Sequence, residues 1–92
     1  MVAKAELWLG FGADVENQKI YTLGIAHTEK EINKIATRAM QKKNCNGPVF
    51  VCNGLIPSWG SGFHRWLLDC GLSENDSRRI LQNTIQILKD EL

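Results

Sequence analysis

This 92-residue chain holds no run of more than a few apolar residues, far short of the roughly 20 in succession that a membrane-crossing helix requires. The residues after Met1 also lack the apolar core of a signal peptide, so a cytoplasmic protein is expected and a membrane is not a partner. Charge of one sign is scarce as well. Eleven Lys and Arg against ten Asp and Glu leave a net charge of +1, which removes any general electrostatic argument for nucleic acid or an anionic membrane surface and confines basic character to local patches. The three cysteines, Cys45, Cys52 and Cys70, form no C-x-x-C pair, and His27 and His64 stand in no ligand spacing with them, so neither a metal nor a cofactor is expected.

Catalytic signatures are missing for identifiable reasons. No G-x-x-x-x-G-K-[ST] or G-x-G-x-x-G occurs, and Gly60-Ser61-Gly62 is preceded by Trp59 where a nucleophile elbow needs glycine. Cys52 precedes a glycine-containing loop, a place where α/β enzymes keep nucleophiles, and His64 could serve as its base. No acidic residue lies between the two to orient the imidazole, and Ser58 occupies the position where a thiol phosphatase needs arginine. An enzyme is therefore not expected. Cys52 and Cys70 fall at apolar positions and are expected to be buried, leaving Cys45, in the polar stretch KKNCNG, as the exposed thiol.

The apolar fraction of 43% is ordinary for a globular chain, and this length predicts a single domain, 1–92, able to enclose one core. Ala5, Leu7, Leu9 and Phe11 alternate with Glu6, Trp8 and Gly10, the period of a half-buried strand. After the polar GADVEN, Lys19 to Ala26 is again rich in β-branched and aromatic residues, which predicts an antiparallel hairpin with a loop longer than two residues. Thr28-Glu29-Lys30-Glu31 is a capping box, followed by Ile32, Ile35, Ala36, Ala39 and Met40 at helical spacing, in a helix that must end by Asn46-Gly47. Pro48 to Cys52 is apolar on both alternating sets, which predicts a central strand covered on two faces. Gly54, Pro57, Gly60 and Gly62 then predict a turning loop ahead of a helix carrying Phe63, Trp66, Leu67 and Cys70. Gly71-Leu72 reads as a Schellman stop and Ser73 as the cap of a last helix with Ile80, Leu81, Thr84, Ile85, Leu88 and Leu92 on its buried side. The expected fold is α+β in the order β-β-α-β-α-α, a small three-stranded sheet packed with three helices.

Three surfaces suggest function. Trp59 has no periodic apolar pattern to account for it, so it either folds back as a lid on the core or is offered to a partner, and the 53–65 loop, with Trp59, Ser61, His64 and Arg65, is expected to bind a partner protein, the last two facing solvent. The chain then reads as a small non-enzymatic interaction module, an adaptor, inhibitor or regulator. The 63–85 segment resembles a degenerate helix-turn-helix, with Trp66, Cys70, Gly71, Leu72 and Ile80 at its apolar and turn positions. That resemblance implies a DNA-binding regulator reading bases with Arg78, Arg79 and Gln82, while Lys34, Arg38 and Lys42 contact phosphates. Ser77 and Leu67 depart from the motif at internal positions, and Glu74 and Asp76 would face phosphates. Finally, Ile87 widens the last helix's apolar face and, with Leu92, predicts a homodimer seam.

Overall fold

The computed structural model describes residues 6–91 and gives three strands and three helices: β1 Trp8–Asp14, β2 Lys19–Ala26, α1 Glu29–Lys42, β3 Val49–Asn53, α2 Trp59–Asp69 and α3 Glu74–Glu91. This is the expected α+β order, β-β-α-β-α-α. Ala5 and Leu92 lie outside the described residues.

Strand order differs from expectation. The sheet runs β2-β1-β3 with both neighbours antiparallel to β1, so the centre is β1 and β3 is an edge. The apolar residues on both sides of β3 report helices on two faces rather than two neighbouring strands, with the cover incomplete at Val49, which is 44% exposed. On β3, Phe50 meets α2, its ring 5.4 Å from that of Trp66, while α1 packs over the other face. In β1 the same two-sided burial is concealed, because one face is Leu9, Phe11 and Ala13 and the other is Gly10 and Gly12, all buried.

Those glycines position α1. A Cβ on Gly10 would stand 3.3 Å from Ile32, one on Gly12 would meet the Met40 sulfur, and one on Gly24, which pairs with Gly10, would stand 2.5 Å from the Ile35 side chain. The helix thus fills space that side chains would occupy elsewhere, and Ile32, Ala36 and Met40 are buried against the sheet. Its start follows the sequence: Thr28 Oγ1 accepts from the Glu31 N–H at 3.1 Å. Its end falls at Asn44, within the limit set by Asn46-Gly47. Asn44 takes the left-handed conformation, φ 53°, and the Cys45 N–H donates to the Met40 carbonyl at 3.0 Å, closing a Schellman stop without glycine.

The hairpin loop is also shorter than GADVEN suggested. Gly12 to Asp14 extend β1, and Val15–Gln18 turn the chain, with Asp14 accepting from the Asn17 backbone and side chain and Gln18 at φ 53°. These two hydrogen bonds hold the Asp14 carboxyl below its ordinary range.

On the opposite face of the sheet, α2 and α3 form an antiparallel pair over Leu7, Leu9, Phe11 and Cys52. Phe63 is fully buried at the hub, its ring 4.3 Å from Phe11, 5.7 Å from Phe50 and 6.0 Å from Trp59. Between the helices Gly71, φ 93°, makes the expected Schellman turn, with the Leu72 N–H on the Leu67 carbonyl, and Ser73 Oγ caps α3 through the Asp76 N–H at 3.1 Å.

Gly60 and Gly62 are not turn residues, because α2 already begins at Trp59. A Cβ on Gly62 would make only ordinary contact with Phe50, at 3.8 Å, whereas one on Gly47 would fall on the carbonyl oxygen of Ala13, whose own N–H is tied to the Pro48 carbonyl at 3.0 Å. Gly62→Ala is therefore expected to raise the melting temperature by a few degrees, from about 0.5 kcal/mol of helix propensity. Gly47→Ala should cost at least about 2 kcal/mol and lower the midpoint by roughly 8 °C or more. Thermal denaturation of the two variants separates the cases, and equal effects would refute the placement of both glycines.

Candidate functional site

The segment between β3 and α2 is a tight turn. Asn53 organises it: its side-chain oxygen accepts from the Leu55 N–H at 3.1 Å and the Leu7 N–H at 3.5 Å, while its carbonyl accepts from Ile56 at 3.1 Å. The Gly54 N–H donates to the Leu7 carbonyl at 2.8 Å, and the Trp59 N–H to the Ile56 carbonyl at 3.1 Å. Gly54 is needed for close approach, since a Cβ there would lie 2.6 Å from Leu88 of α3. A short polypeptide segment is thus tied to the start of β1 and seated on the last helix, with little freedom of its own.

What this turn offers to solvent is Leu55, 40% exposed, and Ile56, 50% exposed, followed by exposed Pro57 and Ser58. Neither Leu55 nor Ile56 was singled out from the sequence, although apolar residues between Gly54 and Pro57-Ser58, outside any helical or strand period, were the available signal. Trp59 behaves differently. It is the first residue of α2, half-buried, and leans against Phe63, so most of its surface serves the core.

The remaining expected contact residues separate along α2. Ser61 and Arg65 are both exposed and, four residues apart, share one outward ridge with Leu68, which is 37% exposed. His64 does not face solvent freely. Its side chain is 25% exposed and turns toward α3, with Nε2 3.3 Å from a Glu74 carboxylate oxygen that also accepts from Arg78. The expectation that His64 is exposed fails because α3 begins beside it and closes over that flank of α2. Of the four residues, then, only Ser61 and Arg65 share a surface.

The same packing leaves two buried polar atoms without partners, His64 Nδ1 and Ser77 Oγ. Ser77 is fully buried although the helix-turn-helix pattern calls for an apolar side chain at its position. A buried hydroxyl that makes no hydrogen bond has lost its hydration without replacement. Ser77→Ala is accordingly expected to stabilise the protein by roughly 1 kcal/mol, read as a rise of about 4 to 8 °C in melting temperature. A drop of similar size would mean that the hydroxyl is satisfied in solution.

The nucleic-acid residues divide between opposite faces of the sheet. Lys34, Arg38 and Lys42 are exposed on α1, whereas Arg78, Arg79 and Gln82 are exposed on α3, across the sheet. The two groups cannot touch one duplex together. Both arginines of α3 are also engaged locally, Arg78 with Glu74 at 3.3 Å and Arg79 with Asp76 at 3.1 Å.

As expected, Cys52 and Cys70 are buried free thiols and Cys45 is the partly exposed one, its sulfur donating to the Ala13 carbonyl at 3.6 Å. Burial pushes the Cys52 thiol up to about 11, and burial with the nearby Asp69 charge also raises Cys70, so both stay protonated and poorly nucleophilic at neutral pH. For Cys52 the consequence for stability has a definite sign. Below about pH 8.5 folded and unfolded chains both hold the proton; above it the unfolded chain loses its proton first, and stability falls until the folded thiol ionises. Between pH 9 and 10.5 the loss should approach 1 kcal/mol per pH unit. Urea unfolding across this range should show a steeper decline for wild type than for Cys52→Ala, and parallel slopes would contradict it.

Among the described residues no group of three or more His, Cys, Asp and Glu is arranged to hold a metal ion, and no helix is long and apolar enough to cross a membrane. No family model, curated protein or solved structure matches this chain.

Proposed function

We propose that this protein is a small non-enzymatic interaction module, an adaptor, inhibitor or regulator, which docks a partner protein through the turn between β3 and α2. The observation that carries this reading is the presentation of Leu55 and Ile56 as exposed apolar side chains on a hydrogen-bonded turn. Apolar anchors held in place before binding lose little freedom on docking, so their burial is returned as affinity. Ser61 and Arg65 on the outward ridge of α2 supply a polar rim beside them, with Leu68 as a further apolar contact. Trp59, the first residue of α2 and half-buried against Phe63, adjoins the turn.

Three thiols without a disulfide suit a reducing compartment, and the module is assigned to the cytoplasm on that ground. Self-association through α3 would rest on Ile87 alone among the described residues. It is 36% exposed, while Ile80 and Leu81 pack against the core and Ile85 is half-buried. The neighbouring residue Leu88 packs on Gly54, so a second copy approaching along this part of α3 would meet the same end of the molecule as the docking turn.

The test is affinity capture from the native host with wild type and the double variant Leu55→Asp/Ile56→Asp. Wild type should retain a partner that the variant loses by at least tenfold, about 1.4 kcal/mol, with an unchanged melting temperature because both side chains are already exposed. Equal recovery by the two proteins would exclude this turn as the interface. Trp59→Ala is a poor substitute here, since it removes an aromatic contact to Phe63.

A further inference from the structure

α1 carries the positive charge of this protein. Between Glu29 and Lys43 there are five Lys and Arg and two Glu, an excess of three in a chain whose net charge is +1, so the remainder is net negative. Lys30, Lys34, Arg38 and Lys42 recur at every fourth position and are all exposed. On a helix they stand in one ladder, each about 6 Å further along the axis, over roughly 18 Å.

None of these four takes part in an ion pair among the described residues. The two ion pairs that form between fully charged groups both lie in α3, Arg78 with Glu74 and Arg79 with Asp76. The ladder is therefore uncompensated, in contrast to the arginines of α3. Beside it runs a second ridge at the same spacing, Asn33, Thr37 and Gln41, also exposed, and the two ridges line a shallow groove of about 530 Å³.

The chemistry of this face selects its partner. The apolar side of α1 is largely spent on the sheet, with Ile32, Ala36 and Met40 buried and Ile35 and Ala39 half-buried, so little apolar surface is left to enter a bilayer or anchor a protein interface. No aromatic residue occurs on α1 to stack unpaired bases, which argues against a single strand. A regular line of cations flanked by amide and hydroxyl groups matches the groups that contact a phosphodiester backbone. The major groove of B-form DNA admits an α-helix, whereas that of duplex RNA does not. From these observations we infer that the exposed face of α1 binds duplex DNA through its phosphates, without sequence preference. This surface lies across the sheet from the α2–α3 pair and does not depend on the docking turn.

Fluorescence anisotropy with labelled 20-base-pair DNA of mixed sequence tests the inference. Wild type should bind at micromolar concentration in low salt, with log K falling against log salt at a slope of about −3 to −4, the value for three or four phosphates neutralised. Lys34→Glu/Arg38→Glu should weaken binding by at least about tenfold, whereas Arg78→Glu/Arg79→Glu should leave it within about twofold. Circular dichroism melting checks that each variant folds, and Lys34→Gln/Arg38→Gln replaces the reversed pair if that pair melts early. Absence of binding, an unaffected α1 variant, or tighter binding to single-stranded DNA or duplex RNA would overturn the inference. So would displacement of the DNA by polyglutamate at equal charge concentration, which would identify an acidic protein as the occupant instead.

Discussion

The architecture depends on the close approach of α1 to the sheet, and that approach depends on side chains that are absent. Gly10 and Gly24 face each other across β1 and β2, and Gly12 follows on the same face of β1. Together they open a trough into which Ile32, Ile35, Ala36 and Met40 descend. Filling it would push the helix away by displacing stiff β-branched side chains, and overpacking of this kind commonly costs about 1–3 kcal/mol per site. With α1 seated there, the crossover from β2 to β3 steps over β1 and delivers β3 to the far edge. The opposite face, with Leu9 and Phe11, is left for the aromatic cluster around Phe63.

This division also arranges the surface. Because α1 spends its apolar stripe on the trough, it turns outward only polar and cationic residues. The α2–α3 pair, covering the other face, pairs its own charges at the start of α3, where Glu74 meets Arg78 and Asp76 meets Arg79. The turn from β3 into α2 sits at the meeting point of β1, α2 and α3. Its backbone is held by Leu7 and its Gly54 by Leu88, and the apolar side chains of Leu55 and Ile56 stay 40% and 50% exposed. One packing decision thus produces two faces of different chemistry, an apolar tip suited to protein and a cationic helix suited to a polyanion.

Much of this was legible in the residues themselves. The order of strands and helices, the Thr28 and Ser73 caps, the Gly71 stop and the bounds of β2 all follow from short-range chemistry, namely hydrophobic period and the hydrogen bonding of helix ends. Other positions show what short-range pattern leaves open. Glycine signals a turn locally, yet Gly60 and Gly62 lie inside α2, which begins at Trp59. Asn44 ends α1 ahead of Gly47 because asparagine tolerates the left-handed conformation, a choice that local pattern leaves open between the two residues.

The sequence by itself determined which segments are strands or helices and which side of each is apolar, since those properties repeat over a few residues and need no distant partner. Tertiary structure alone decided that β1 rather than β3 is central, because apolar residues on two faces show that a strand is covered and say nothing of its edges. It also decided that Trp59 turns inward while Leu55 and Ile56 stay outside, that His64 meets Glu74, and that the basic residues of α1 and α3 lie on opposite sides of the sheet. Each of these is a relation between separate elements of the fold, set by the closing of the α1 crossover and the α2–α3 pair over one small sheet.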